Sequence, residues 1–337
     1  MFDKMHGFGY SQPAPISYHN EEVLLMVYQH KDLIGLRDLC KEEILSFINL
    51  AKEFKALNNS DVKKSPSLHG KTVINAFYEN STRTRVSFEV AAKRLGADAI
   101  NFSSSQSSSK KGETLVDTIR NMEAMKTDIF VLRHPNSGAA HFVAQNSDAS
   151  IVNAGDGLNE HPTQGLLDLF TILQHKGSFE NLTVSIIGDI AHSRVARSDI
   201  WAMRKLGINV KLFGPPMMLP VHMEVFDCHV CSSMEEAVEG SDVIIMLRIQ
   251  LERQDGTLFP SVREYSKFFG LTSTRMKLAN KNAIVLHPGP INRGVEMNSD
   301  VVDNKDYSVI LNQVENGVAI RMAVLHTLNL YRKSRNM

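Results

Sequence analysis

The chain has 337 residues, 43% of them hydrophobic and 22% charged, with 37 basic and 37 acidic side chains. That length suits two domains rather than one small core, and the composition excludes a disordered chain. A formal net charge of zero excludes a global basic field for nucleic acid or an anionic membrane, so a charged ligand has to be met by local arrangements.

At the N-terminus, Asp3 stands where a secretion signal carries positive charge, and Pro13 and Pro15 break the stretch before the short apolar run Val23–Val27. Residues 1–30 show no helical or strand period. From Lys41 to Leu57 the apolar residues Ile44, Leu45, Ile48, Ala51, Phe54 and Leu57 fall at helical spacing and predict an amphipathic helix. After Gly70 a beat sets in. The apolar runs Thr72–Tyr78, Asp128–Leu132 and Ser150–Asn153 read as strands separated by helical patterns. The beat repeats after Leu182 with Thr183–Ile187, Val210–Phe213, Val243–Leu247 and Ala283–Leu286. Strand alternating with helix predicts an α/β chain of two doubly wound parallel-sheet lobes, with ligands in the cleft at the carboxyl ends of the strands. Apolar runs such as Ala283–Leu286 are far shorter than the ~20 residues of a bilayer-crossing helix, so no membrane is expected.

Three cysteines make no disulfide framework, which points to a reducing cytoplasm. Cys228-His-Val-Cys231 is a C-x-x-C, but a zinc or redox role needs a second ligand pair, and Cys40 is the only other thiol. In an extended stretch residues three apart point to opposite faces, which favours a pair of free thiols over a metal site. No GxGxxG or Walker A pattern opens a helix. The serine-rich piece Ser103–Ser109 runs into Lys110-Lys111-Gly112-Glu113, either a plain solvated loop or a lid.

The sharpest segment is Phe77-Tyr-Glu-Asn-Ser-Thr-Arg-Thr-Arg85, a strand end followed by a helix that begins near Thr82. Ser81 is the natural N-cap, and the first-turn N–H groups with three hydroxyls and Arg83 form an anion site of phosphate size. An ordinary capped helix with surface arginines would explain the segment alone equally well. Four more groups sit at predicted strand ends: Leu132-Arg133-His134-Pro135, Asn159-Glu-His161-Pro-Thr-Gln164, Asp189-Ile-Ala-His-Ser-Arg194, and His287-Pro-Gly-Pro290 with Asn292 and Arg293. So many Arg and His side chains at the strand ends of one α/β protein point to a site.

These residues carry a resemblance. Ser81-Thr-Arg-Thr-Arg85, Arg133-His-Pro, His161-Pro-Thr-Gln164, Arg248-Ile-Gln250 and His287-Pro-Gly-Pro290 stand in order and at suitable spacing, and the chain resembles the aspartate/ornithine transcarbamoylase family from about residue 35 almost to its end. His287-Pro-Gly-Pro290, Lys111 and Arg248-x-Gln250 place it nearer the aspartate branch, since the ornithine branch carries His-Cys-Leu-Pro at the first of these. The chemistry agrees, because aspartate brings two carboxylates and wants arginines.

The resemblance implies an aspartate carbamoyltransferase joining carbamoyl phosphate to L-aspartate, the committed step of pyrimidine biosynthesis. Ser81, Thr82, Arg83 and Thr84 would hold the phosphate. Thr84, Arg133 and His161 would stabilise the carbonyl oxygen, and Gln164 with the Pro288–Pro290 turn would hold the carbamoyl amine. Arg194, Arg248, Gln250, Gly289 and Pro290 would receive aspartate. Ser107 and Lys111 would enter from the next chain of a homotrimer, Lys111 touching both substrates. Arg83, Thr84, Arg133, His161 and Lys111 are the implied catalytic set. No metal or cofactor is implied, because carbamoyl phosphate is already activated. Regulatory or dihydroorotase-like chains are possible further partners, and nucleic acid is not. Glu79 would pair with Arg194 and Arg253 when the lobes close. The implied domains are 35–163, binding carbamoyl phosphate and completed by a helix over 313–337, and 164–312, binding aspartate. Residues 1–34 are an extension without assigned role. The alternative is a catalytically silent homologue serving assembly or regulation, which would have lost a phosphate-site arginine or the loop lysine.

Overall fold

The apolar runs of the sequence become strands of two parallel sheets, and the segments between them become the helices that cover both faces. The computed structural model of the chain describes residues 18–103, 113–249 and 261–335. Its first part runs α1 (Tyr18–Val27), α2 (Lys41–Asn58), β1 (Thr72–Phe77), α3 (Thr82–Arg94), β2 (Asp98–Ser103), α4 (Leu115–Ala124), β3 (Ile129–His134), α5 (Ala139–Ala144) and β4 (Ser150–Asp156). Helix α6 (Pro162–Lys176) leads into β5 (Thr183–Ile187), α7 (Arg194–Lys205), β6 (Asn209–Phe213), β7 (His229–Val230), α8 (Met234–Val238) and β8 (Val243–Met246). Then follow α9 (Val262–Phe269), α10 (Ser273–Met276), β9 (Ile284–Leu286), α11 (Ser299–Val302) and α12 (Ile310–Arg335).

The first sheet has the order β2-β1-β3-β4 and the second β7-β6-β5-β8-β9, all neighbours parallel. Strands β1, β3, β4, β5, β8 and β9 are buried along almost their whole length, as parallel strands under two helical layers must be. Helix α2 follows its predicted period: Ile44, Phe47, Ile48, Ala51 and Phe54 are wholly buried, each large side chain stabilising the fold by about 1.5–3 kcal/mol. Helix α12 is buried at every residue from Ala319 to Leu330, so it turns no exposed face to solvent over that stretch, and it packs against α2, α3 and α6. No helix among the described residues is long and apolar enough to cross a membrane.

Three elements depart from the sequence reading. Helix α1 forms within the region that shows no period, because its apolar residues sit in one run; Leu24 is buried whereas Val23 and Met26 are exposed. Strand β2 is a sheet edge with exposed or half-buried residues throughout, so it has no apolar run to announce it. Strand β7 is two residues long and exposed. Around it the C-x-x-C geometry holds: Cys228 packs against the large core and Cys231 is buried in a different cluster. Both are free thiols, as is Cys40.

Candidate active site

Each sheet reverses its winding once, between β1 and β3 in the first and between β5 and β8 in the second. At such a switch point the loops leaving adjacent strands part to opposite faces and open a crevice. The two crevices share one cavity of about 590 Å³. The β1 end delivers Glu79 to Thr84 and β3 delivers Arg133. The segment after β4 delivers His161 and Gln164, β5 is followed by Ser193 and Arg194, β8 by Arg248, and β9 by His287 to Pro290. Helix α12 adds Gln313 and Arg321.

Ser81 is the N-cap of α3 in extended conformation, as its sequence position predicts, yet its hydroxyl makes no capping bond, so the first-turn N–H groups face the cavity without a side-chain cap. Arg83 packs over Gly289, whose backbone is left-handed at φ 64°; a Cβ there would run into the guanidinium. Burial and the nearby Arg248 guanidinium both lower Arg83 from its ordinary pKa, because burial and a like charge each disfavour the cation.

Arg133 donates from Nη1 to the Ala154 carbonyl at 3.0 Å and from Nη2 to Glu79 at 2.9 Å. Arg194 makes a two-bond contact with the same carboxylate, at 2.6 and 3.1 Å. His161 caps α6 ahead of Pro162, and its backbone N–H is fixed by Ser198 Oγ at 2.9 Å, which in turn donates to Glu160 at 2.9 Å. Burial, then Arg133, Arg321 and Arg194, hold the His161 ring well below the ordinary histidine pKa, so it is a neutral imidazole at pH 7. His287 is neutral too: burial lowers it, its Nδ1 accepts the Gly289 N–H at 2.7 Å, and Nε2 lies 3.1 Å from Glu296. Among the described residues the lining holds five arginines, at 83, 133, 194, 248 and 321, against one carboxylate, Glu79. That surplus suits a phosphate and carboxylates together.

Ser81, Thr82, Arg83, Thr84, Arg133, His161, Gln164, Arg194, Arg248, Pro288, Gly289 and Pro290 therefore all line one cavity. Ser107, Lys111, Gln250 and Arg253 lie outside the described residues. No sequence motif marks Gln313 or Arg321, which also line the cavity. They sit in a long helix without a motif, and the signal available was a lone arginine in an otherwise apolar stretch, Val318 to Leu325. Away from the cavity, His229, Cys231 and Glu236 bring ligand-type atoms within 4.8 Å of one another. Glu236 is already held there by His229 and by the Ser232 N–H and hydroxyl.

Comparison with known proteins agrees with this geometry. The profile described as "Aspartate/ornithine carbamoyltransferase, carbamoyl-P binding domain" matches residues 31–174, and that of the "Asp/Orn binding domain" matches residues 180–328. The aspartate carbamoyltransferase catalytic subunit of Campylobacter curvus is 72% identical over 305 residues, covering 90% of this chain and 98% of that protein. Aspartate transcarbamoylase from Trypanosoma cruzi, solved with carbamoyl phosphate and aspartate, superposes with a TM-score of 0.81 at 29% identity over 90% of this chain and 98% of its own. Ornithine carbamoyltransferase from Pyrococcus furiosus superposes at 0.77 and 29% identity, over 87% and 95%. Both profiles fall on the two sheets whose strand ends build the cavity, and on this ground the chain belongs to the aspartate/ornithine carbamoyltransferase family.

Proposed function

We propose that the cavity transfers the carbamoyl group of carbamoyl phosphate to the amine of L-aspartate, giving N-carbamoyl-L-aspartate and phosphate for pyrimidine biosynthesis. One observation carries this reading: the open N-terminus of α3 with Arg83, from one sheet, faces the same cavity as Arg194 and Arg248, from the other. A dianion and a dicarboxylate can thus lie side by side. In this reading residues 35–163 with the helix over 313–337 bind carbamoyl phosphate, and 164–312 bind aspartate.

Ser81, Thr82, Arg83 and Thr84 hold the phosphate through backbone and side-chain donors. Arg133, Thr84 and the neutral His161 donate to the carbonyl oxygen, whose negative charge grows as the amine nitrogen bonds to carbon; one such donor is worth roughly 3 kcal/mol of barrier. A neutral imidazole donates without adding to the crowded positive charge. Gln164 and the Pro288 carbonyl hold the carbamoyl NH2. The carbon–oxygen bond to phosphate then breaks, and the departing phosphate takes a proton from the amine. Arg194, Arg248 and Gln250 grip the aspartate carboxylates, with Gly289 and Pro290 alongside.

The homotrimer, with Ser107 and Lys111 reaching a neighbour's cavity, belongs to the same proposal. The exposed edge strand β2 with Ile100, and Val86 on the adjoining α3, support it as apolar surface that a neighbour would cover. A cytoplasmic setting fits the three free thiols. A colorimetric assay for carbamoyl aspartate tests the reaction: product from aspartate but not from ornithine is expected, and absence of product at saturating carbamoyl phosphate overturns it. Native mass measurement tests the trimer.

A further inference from the structure

Beneath the cavity, Asp168 on α6 and Asp199 on α7 are both fully buried where these helices pack together. Asp168 Oδ1 accepts from Gln164 Nε2 at 3.0 Å and from Gln313 Nε2 at 2.6 Å. Its Oδ2 and both oxygens of Asp199 receive no N–H or hydroxyl hydrogen among the described residues, and the two carboxyls meet each other instead. Two bare carboxylates in contact in a dry core repel, so the contact requires one proton between them, and burial raises both above the usual carboxylate range. Asp168, with two donors and the buried Arg321 guanidinium acting on it, is the anion. Asp199, with no donor, keeps the proton. The pair then carries one negative charge against one positive charge on Arg321.

That anion decides how two amides point. Were the Gln164 amide turned over, its oxygen would face the carboxylate, so Nε2 stays on Asp168 and Oε1 is the end left to a cavity that Gln164 lines. Gln313 is fixed in the same sense: its Nε2 is on Asp168, and its Oε1 accepts the His287 N–H at 2.8 Å, which anchors the turn through Pro288. Resting on the carbamoyl-transfer reading above, we infer that Asp168, kept anionic by the proton on Asp199, is the positioning residue that presents Gln164 Oε1 and the Pro288 carbonyl as paired acceptors, so that the site selects an acyl phosphate bearing an NH2 group. Two acceptors with no donor on the ligand are left unpaired, and a site built on hydrogen bonds rejects such an analogue strongly.

Acetyl phosphate, with methyl in place of NH2, is the probe. Calorimetry on the full-length protein without aspartate gives its affinity and that of carbamoyl phosphate. Asp168→Leu is expected to reduce the preference for carbamoyl phosphate about 10-fold or more, with acetyl phosphate affinity changed less than about 3-fold. Asp168→Asn is expected to keep the preference within about 3-fold, because its carbonyl accepts from both glutamines while its NH2 donates to an ionised Asp199. Equal losses for both phosphates in Asp168→Leu would mean a merely structural role and overturn the inference. Should that variant not fold, Gln313→Leu leaves the acid pair in place and cuts the line to His287. A reduced preference there supports the inference and an unchanged one overturns it. A parent protein that binds acetyl phosphate as well as carbamoyl phosphate would remove the reading of the site itself, a failure distinct from that of the variants.

Discussion

One carboxylate oxygen of Glu79 lies 2.9 Å from Arg133 Nη2 and 2.6 Å from Arg194 Nη2, so a single acid after β1 ties the first sheet to the helix that opens after β5. Glu79 and both arginines are largely buried, which makes the contact stronger than a surface ion pair. Glu79→Gln keeps the shape and removes the charge that holds Arg194, which on the proposed reading meets aspartate. We expect the aspartate requirement to rise about 10-fold or more, with carbamoyl phosphate binding in the absence of aspartate within about 3-fold of the parent. Steady-state kinetics with aspartate varied is the check, and an unchanged aspartate dependence would show that the bridge does not orient Arg194.

The phosphate grip can be approached from two sides. Arg83→Ala removes a charge-assisted donor, and turnover should fall by at least 100-fold, roughly 3 kcal/mol, with little change in thermal midpoint. Gly289→Ala leaves Arg83 in place but puts a methyl where its guanidinium packs, at a backbone φ of 64°. It should weaken carbamoyl phosphate binding and cost about 1 kcal/mol of stability through the left-handed conformation alone. Near-normal turnover of Arg83→Ala at saturating carbamoyl phosphate would reject the assignment.

Lys111 tests the trimer. Chains carrying Lys111→Ala and chains carrying Arg83→Ala should each be nearly inactive alone, and mixed trimers should regain part of the activity where an intact loop meets an intact cavity. Verified mixed trimers with no recovery would point to a loop that serves its own chain.

Arg248 follows β8 and lines the same cavity as Arg83, and on the proposed reading it meets aspartate. Arg248→Ala should raise the aspartate requirement by at least about 1.5 kcal/mol equivalent and leave carbamoyl phosphate binding near normal. A mimic joining a phosphonate to an aspartyl group should bind far more tightly than either half, because it meets both cation groups at once. Calorimetry in which the mimic binds no better than phosphate would sink the two-sheet site.

His326 on α12 provides an acid-stability test. Its ring stacks edge-on with Phe54 at 5.7 Å, both nitrogens lack a hydrogen-bond partner among the described residues, and Glu21 comes only within 3.6 Å. Burial lowers its pKa to about 4. The unfolded chain takes up this proton near pH 6.5, whereas the folded chain resists until about pH 4, so stability is lost as pH falls through that window, by up to about 3 kcal/mol. His326→Leu should flatten this part of the stability curve; denaturant unfolding at pH 7 and pH 4.5 would reveal a parent and variant that fall equally, if burial of the imidazole is not the cause.

The strand runs, the α2 stripe and the Ser81 cap position were legible in the sequence because each is set by neighbours within a turn or a few pleats: apolar period and cap chemistry are local. So were the residues at the strand ends, whose positions follow from where each run stops. Helix α1, the exposed edge β2 and the two-residue β7 lack a local period, and their structure comes from what they pack against or pair with. Convergence is likewise decided by tertiary structure. Glu79 meets Arg194 across 115 positions because the segments after β1 and β5 open on one cavity, and Gln313 meets Asp168 across 145 because α6 packs against both α7 and α12 and brings side chains from distant segments into one dry space. The proton shared by Asp168 and Asp199 exists only there, since either carboxyl in water would ionise alone.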